Sequence, residues 1–431
     1  MKRVLTTLLL LIAGTGPAVA AVDAVVLAGY LLDVSSGQYQ RDQALLLEGE
    51  RIVDIVPADK APKIQNTIDL SDAYVLPGLI DMHVHLTSDP TKHGYRALAE
   101  TPQREAIFGV KAAEATLKAG FTTVRNLGAG GFADVALRDA INEGETPGPR
   151  MRVSGPTICI TGGHCDNNLL PHIYRAQSGG VANGSDEIRS RVRENIKYGA
   201  DVIKFTATGG VMSKNTDVNA AQYSLAEMQA LVEEAHDRGR IVAAHAHGLK
   251  GIKRAISAGV DSIEHGSFVD DEAIKLAKQH GTYLVMDVYV SDYILAEGEA
   301  AGILPESLEK ERSVGLIQRQ NFKKAVQAGV KMAYGTDAGV YTHGLNARQL
   351  SYMVQWGMTP LQALQSATIH AATLLNWRNN DGSLQVGQLK AGAYADLIAV
   401  PQDPLTNIKV LEQAPLVVKG GQLVSTGEQQ L

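Results

Sequence analysis

Five of the twelve histidines fall in three short motifs: His83 and His85 in DMHVHL, His245 and His247 in AAHAHG, and His265 in IEHG. In an extended strand, residues two apart project from one face, so each H-x-H pair presents two imidazoles side by side. Neutral imidazole is the commonest protein ligand for zinc-like metals. A lone strand histidine reads as a hydrogen-bonded core residue, but two pairs and a fifth histidine at successive strand ends read as a metal site. Asp337 in YGTDAG is a candidate ligand and general base. A carboxylate touching a metal-bound water can take its proton and hand it to a leaving group.

A further residue asks for an explanation. In ADVIKFTATGG, Lys204 interrupts the apolar run Val202, Ile203, Phe205. An ammonium group there must either reach solvent or lose affinity for its proton.

The elements that must position these residues follow from periodicity. Apolar β-like runs alternate with segments of helical period: FTTVRNL, then ADVALRDAINEG; SLAEMQALVEEAHDRG before IVAAHAHG; KGIKRAISAG before DSIEHGSFV; DEAIKLAKQHG before YLVMDVYV. Several predicted helices stop at a glycine directly before the next strand, as left-handed C-caps do. Counting LPGLIDMHVHL as the first strand and VKMAYGTDAG as the last gives eight βα units. That count predicts an α/β fold with a (β/α)8 barrel rather than an open doubly wound sheet. Strand-and-turn segments at both ends predict one small β-sandwich built from the two termini. The expected division is residues 1–20 as a leader, 21–78 and 382–431 as the sandwich, and 79–381 as the catalytic barrel.

The leader reading rests on Lys2 and Arg3, the apolar VLTTLLLLIAG and the cleavage-site pattern Ala18-Val19-Ala20. This is a secretory signal pattern, too short for a bilayer span, and it implies a periplasmic or secreted protein. A composition with 45% hydrophobic and 20% charged residues and a formal charge of −6 is that of a globular chain and gives no support for nucleic-acid binding. Cys159 and Cys165 are the two cysteines; a bridge and two free thiols are both open, and stability must come from a core.

With these pieces assembled, LPGLIDMHVHL, DVIKF, AAHAHG, IEHG, YGTDAG and the terminal KAGAYADLIAV resemble the metal-dependent amidohydrolase superfamily. The likeness is to its imidazolonepropionase-related branch, which includes Xaa-Pro and Xaa-Arg/Lys dipeptidases and ochratoxin A hydrolases, and it covers nearly the whole mature chain. The resemblance implies two divalent metal ions, by default zinc. His83, His85 and Asp337 would hold one, His245 and His265 the other, and a CO2-derived carbamate on Lys204 would bridge them. It also implies that His247, Tyr223 and His164 serve the reaction or contact substrate. Where relatives place glycine after the histidine of the Gly-Gly-His segment, this chain has Cys165. Homo-oligomers, as large as an octamer, are implied by likeness alone.

The expected activity is hydrolysis of an amide or dipeptide beside a C-terminal amino acid with a free carboxylate, with Asp337, His247 and Tyr223 as catalytic groups. Arg96, His343 and Arg348 lie in loops predicted to follow the first and last barrel strands, and any of them could bind that carboxylate. A cyclic-amide hydrolase or deaminase is the alternative enzyme class, and a non-catalytic metal-binding protein the alternative outside enzymes. The Lys204 bridge argues against mononuclear deaminases.

Overall fold

The computed structural model describes residues 22–425; the predicted leader lies outside them. Strands β1 (Ala24–Asp33), β2 (Gln38–Glu48), β3 (Arg51–Pro57) and β4 (Thr67–Pro77) open the chain. The barrel strands are β5 (Leu79–Val84), β6 (Phe121–Asn126), β7 (Arg150–Val153), β8 (Val202–Thr206), β9 (Ile241–Ala246), β10 (Ser262–His265) and β11 (Tyr283–Val285). Strands β12 (Leu397–Val400), β13 (Leu416–Lys419) and β14 (Gln422–Ser425) close it.

The terminal strands form one sheet in the order β14-β13-β12-β4-β1-β2-β3. The two chain ends meet where β12 runs antiparallel to β4, pairing Ile398 with Leu76. Both halves of this sheet contribute to a single core that includes Val26, Leu45, Ile52, Val75, Leu397 and Val418. The sheet therefore closes over itself as a small sandwich. Only Gly78 separates it from the barrel; a Cβ there would lie 2.1 Å from Thr122 Oγ1, so this crossing admits no side chain.

The barrel comprises two parallel runs, β5-β6-β7 and β8-β9-β10-β11. Parallel bridges join them: Ile158 to Phe205 on one side, Leu284 to Met332 and Val84 to Ala338 on the other. Residues 332–338 thus act as the eighth stave, through bridges rather than a continuous ladder. Thr336 and Asp337 both donate backbone N–H to His83 O, which turns this segment over the first strand. The third stave also departs from the continuous strand expected for RMRVSGPTICI: β7 ends at Val153, and pairing resumes at Ile158. Pro156 has no N–H to give a ladder.

Strand alternation decides which side chains enter the barrel. Ile203, Phe205, Val242, Ala244 and Ala246 pack in the core shared with the helices. Their neighbours Lys204, Thr206 and His245 take the opposite face, towards the interior. Register sets Thr206 beside His245 and His245 beside Glu264 on three adjacent strands. The helices between strands end as the sequence requires. Asp270 caps the helix Asp271–His280 by accepting from Ala273 N, Gly281 terminates it at φ +74°, and β11 begins at Tyr283.

Candidate metal centre

At the C-terminal ends of the strands, His83, His85 and Asp337 form one group of ligand atoms lying within 4.8 Å of one another, and His245, His247 and His265 form a second. His265, Asp287 and Asp337 form a third that joins them. Asp337 Oδ1 lies 3.2 Å from His85 Nε2 and 3.5 Å from His83 Nε2. Lys204 is 3% exposed, and its Nζ lies 3.3 Å from His83 Nε2. Two of these residues, His265 (φ +69°) and Asp337 (φ +59°), hold left-handed backbone conformations. Such conformations cost energy for residues other than glycine and persist where surrounding structure imposes them.

Each ring is oriented from behind. His83 Nδ1 faces Glu264 Oε2 at 3.1 Å. The approach is too oblique for a good hydrogen bond, yet neither atom has another partner among the described residues, so the carboxylate favours the Nδ1–H tautomer and turns the Nε2 lone pair towards Lys204. Glu264 is held by the Arg125 guanidinium at 2.8 Å, and Arg125 is anchored on Met82 O at 2.7 Å. Removing one member of such a buried pair would leave an uncompensated charge. His265 Nδ1 sits 2.9 Å from Asp287 Oδ2, whose other oxygen accepts from Gln318 Nε2 at 2.8 Å. His245 Nε2 lies 3.2 Å from Gly209 O, which leaves Nδ1 free. Asp81 accepts from Thr336 Oγ1 at 2.6 Å and Asn346 Nδ2 at 2.8 Å, stitching β5 to the eighth stave.

At His83 and His245 the electrostatics favour lone pairs over protons. Burial, reinforced by Lys204 and neighbouring imidazoles, pushes the pKa values of His83 and His245 well below the ordinary value. Burial also pushes Lys204 down to about 8. For Asp337, burial acts upwards, but the His85 hydrogen bond and surrounding positive groups carry it below the ordinary carboxylate value. Imidazoles converging with carboxylates are the donor set of a zinc-like cation pair. The residues fit two such ions.

A cavity of about 410 Å³ opens above this floor, lined by His83, His85, Lys204, His245, His265 and Asp337 among others. His164 and Cys165 form part of its wall. The six expected metal ligands therefore meet in one place, and His164 stands beside them. Three other expected residues do not reach this cavity. Tyr223 is 1% exposed, packs in the hydrophobic core and donates its hydroxyl to Ala182 O at 2.8 Å; its assignment as a substrate or catalytic group is corrected, because the phenol is already committed to the backbone. His343 is 7% exposed and bonds Ser88 O at 3.1 Å behind the wall, so it is not placed to receive substrate. His247, hydrogen-bonded to Ser267 Oγ at 2.7 Å, lines a cavity of about 40 Å³ behind the main one and joins the ligand cluster instead.

The loop cations are likewise redistributed. Arg96 donates to Ala300 O and Arg348 to Tyr289 Oη. At the cavity wall stand Lys92, paired with Glu100, and Lys214, bonded to Tyr95 Oη. Sequence reasoning missed Arg125, Glu264, Asp287 and Asp81. A signal existed: Asp287 interrupts the apolar YLVMDVYV as Lys204 interrupts its own strand, and Glu264 directly precedes a predicted ligand.

The amidohydrolase family profile matches residues 74–424. Ochratoxinase of Aspergillus niger is 34% identical over 424 residues, covering 93% of this chain and 86% of that protein. Among solved structures, a Xaa-Pro dipeptidase with methionine bound in its active site is 40% identical, with a TM-score of 0.84 over 93% of this chain and 99% of that one. A prolidase complexed with N-methylphosphonate-L-proline is 32% identical, with a TM-score of 0.83 over 93% and 98% of the respective chains.

Proposed function

The chain belongs to the amidohydrolase family, and from that premise we propose that it cleaves the amide bond next to a C-terminal amino acid bearing a free carboxylate. Substrates of this kind are dipeptides and N-acyl amino acids, including ochratoxin-type amides. The observation that carries the reading is the convergence of Lys204, four histidines and Asp337 on the floor of one cavity of about 410 Å³, a size suited to a small-molecule ligand. The likeness to ochratoxinase, to a dipeptidase holding methionine and to a prolidase holding a proline phosphonate supports the carboxylate-bearing substrate.

His83, His85 and Asp337 would hold one divalent ion and His245 and His265 the other, with Lys204 between them as its carbamate and His247 within reach of the second. Zinc is the metal of choice for this ligand set. Bound there, the ions supply a low-pKa water and polarise the scissile carbonyl. The buried amine of Lys204, with its proton held less tightly, suits addition of its nitrogen to CO2 with release of one proton. Asp337 accepts the proton of the attacking water as the oxygen joins the carbonyl carbon. It then delivers that proton to the departing nitrogen as the C–N bond breaks. His164 offers its imidazole to the developing oxyanion or to the substrate carboxylate, and Lys214 supplies positive charge at the wall.

The compartment belongs to the same reading: the leader pattern and the Cys159–Cys165 disulfide support export to an oxidising environment. The test is a library of dipeptides, N-acyl amino acids and cyclic amides presented to the zinc-loaded mature protein, with released amino acid quantified. Release of a free C-terminal amino acid is expected. Turnover of cyclic amides alone would sink the proposal.

A further inference from the structure

The wall of the cavity contains a crosslink. Cys159 and Cys165 form a disulfide with Cα atoms 5.8 Å apart and a separation of six residues. Its two ends have different surroundings. Cys159 is fully buried and pairs with Val181 directly after Ile158 has bridged to Phe205 of β8. Cys165 faces the cavity. The chain between them consists of turns and bends rather than strand or helix, tied to its surroundings by single hydrogen bonds such as Thr161 N–H to Asn183 Oδ1 at 3.1 Å and Gly162 N–H to Asp166 Oδ2 at 2.8 Å.

His164 stands immediately before the cavity-facing end of this crosslink, and its ring is fixed on several sides. It stacks on His245 with centroids 4.1 Å apart and planes inclined by 28°. Its Nδ1 lies 2.7 Å from Ser213 Oγ, and its backbone N–H donates to Gln222 Oε1 at 3.1 Å. Gly210 closes another side so tightly that a Cβ would fall 2.3 Å from the ring. The slot admits the imidazole in one pose, and the turn that carries it has no ladder of its own to enforce that pose.

We infer that the Cys159–Cys165 disulfide is the positioning element for His164, pinning a substrate-facing imidazole over the metal-ligand histidine His245; the inference rests on the hydrolase reading above. The bond ties a cavity-wall turn to a residue locked in the barrel. It removes conformations of residues 160–165 that would otherwise have to be given up each time substrate binds. A binding group displaced by about 1 Å forfeits much of its contribution. The crosslink acts through His164 and touches neither the metal ligands nor the general base.

The experiment compares four mature, zinc-loaded proteins: the parent, Cys159→Ala/Cys165→Ala, His164→Ala, and the triple variant. With an amide substrate taken from the screen, loss of the disulfide is expected to raise KM on the order of tenfold while kcat stays within about threefold. In the His164→Ala background the same cysteine changes should alter KM by less than about twofold, since the crosslink then has nothing to position. Additive effects in that cycle, or a disulfide-free protein that loses metal or fold, would show the bond serving the molecule at large and overturn the inference.

Hydrogen exchange gives a readout without turnover. Amides of residues 160–168 should exchange on the order of tenfold faster without the bond, while those of β8 and β9 stay unchanged. Unchanged exchange in the turn overturns the positioning role. Failure of every amide in the screen counts against the hydrolase reading alone.

Discussion

Strand β10 carries a histidine–aspartate pair at each end. Before its first residue, Asp261 Oδ2 meets His236 Nε2 at 2.9 Å; at its last, His265 Nδ1 meets Asp287 Oδ2 at 2.9 Å. The chemistry and the distance match, but the surroundings do not. The side chains are 41% and 30% exposed in the first pair and 7% and 5% in the second. At the open end, water screens the attraction, and Asp261 also accepts from Val242 N at 2.7 Å, so the pair joins a helix to a strand. At the closed end, the same interaction in a poorly screened interior fixes one ring nitrogen and leaves the other for a metal. Burial moves His265 downwards, and the Asp287 charge and hydrogen bond more than reverse it; His236 rises chiefly through its hydrogen bond to Asp261. An ion pair becomes functional through what the far side of its imidazole meets.

The contrast between the two ends can be broken by substitution. At the closed end, Lys204→Ala should cost the most: a loss of kcat of at least about 10³-fold with roughly one metal equivalent missing by elemental analysis. A variant that keeps both metals and its turnover would remove the carbamate bridge from the account. Asp287→Asn should follow, weakening metal affinity about 10- to 100-fold in a chelator competition while the fold persists. Unaltered affinity would mean that His265 needs no partner.

At the open end, Asp261→Asn should leave kcat and metal content untouched and cost about 0.5 kcal/mol of stability in denaturant unfolding. A measurable fall in kcat would erase the distinction between the ends. The smallest effect is its pH dependence. Because the pKa of His236 is raised above its ordinary 6.5, its stabilisation is fully present below that pH and fades as pH rises through the raised value. His236→Gln should therefore lower the unfolding midpoint at pH 6 and leave it unchanged at pH 9; equal loss at both would assign the contact to packing.

Much of the metal-ligand floor is legible in the sequence. The H-x-H pairs, Lys204 and Asp337 announce themselves because each violates the apolar pattern of its strand, and strand geometry is local. The cavity wall was far less readable. Tyr223, His343, Arg96 and Arg348 were plausible by residue type, yet each hydrogen-bonds within the protein. Lys214, now at the wall, carried no pattern at all. Loop side chains follow no period, and their partners can lie anywhere in the chain.

The sequence by itself determined the ligand types, their two-residue spacing and the βα alternation that brings strand ends to one rim. These features follow from the pleat and from the few ways a chain can bury alternating strands and helices. Tertiary structure alone decided the supports. Glu264 stands behind His83, 181 positions away in sequence, and Arg125, on another strand, holds Glu264 in place. It also set Asp287 behind His265, moved Tyr223 into the core and joined Cys159 to Cys165 beside His164. The physical reason is range. Backbone geometry fixes where a side chain points over two or three residues, whereas the carboxylate it meets depends on how distant strands pack.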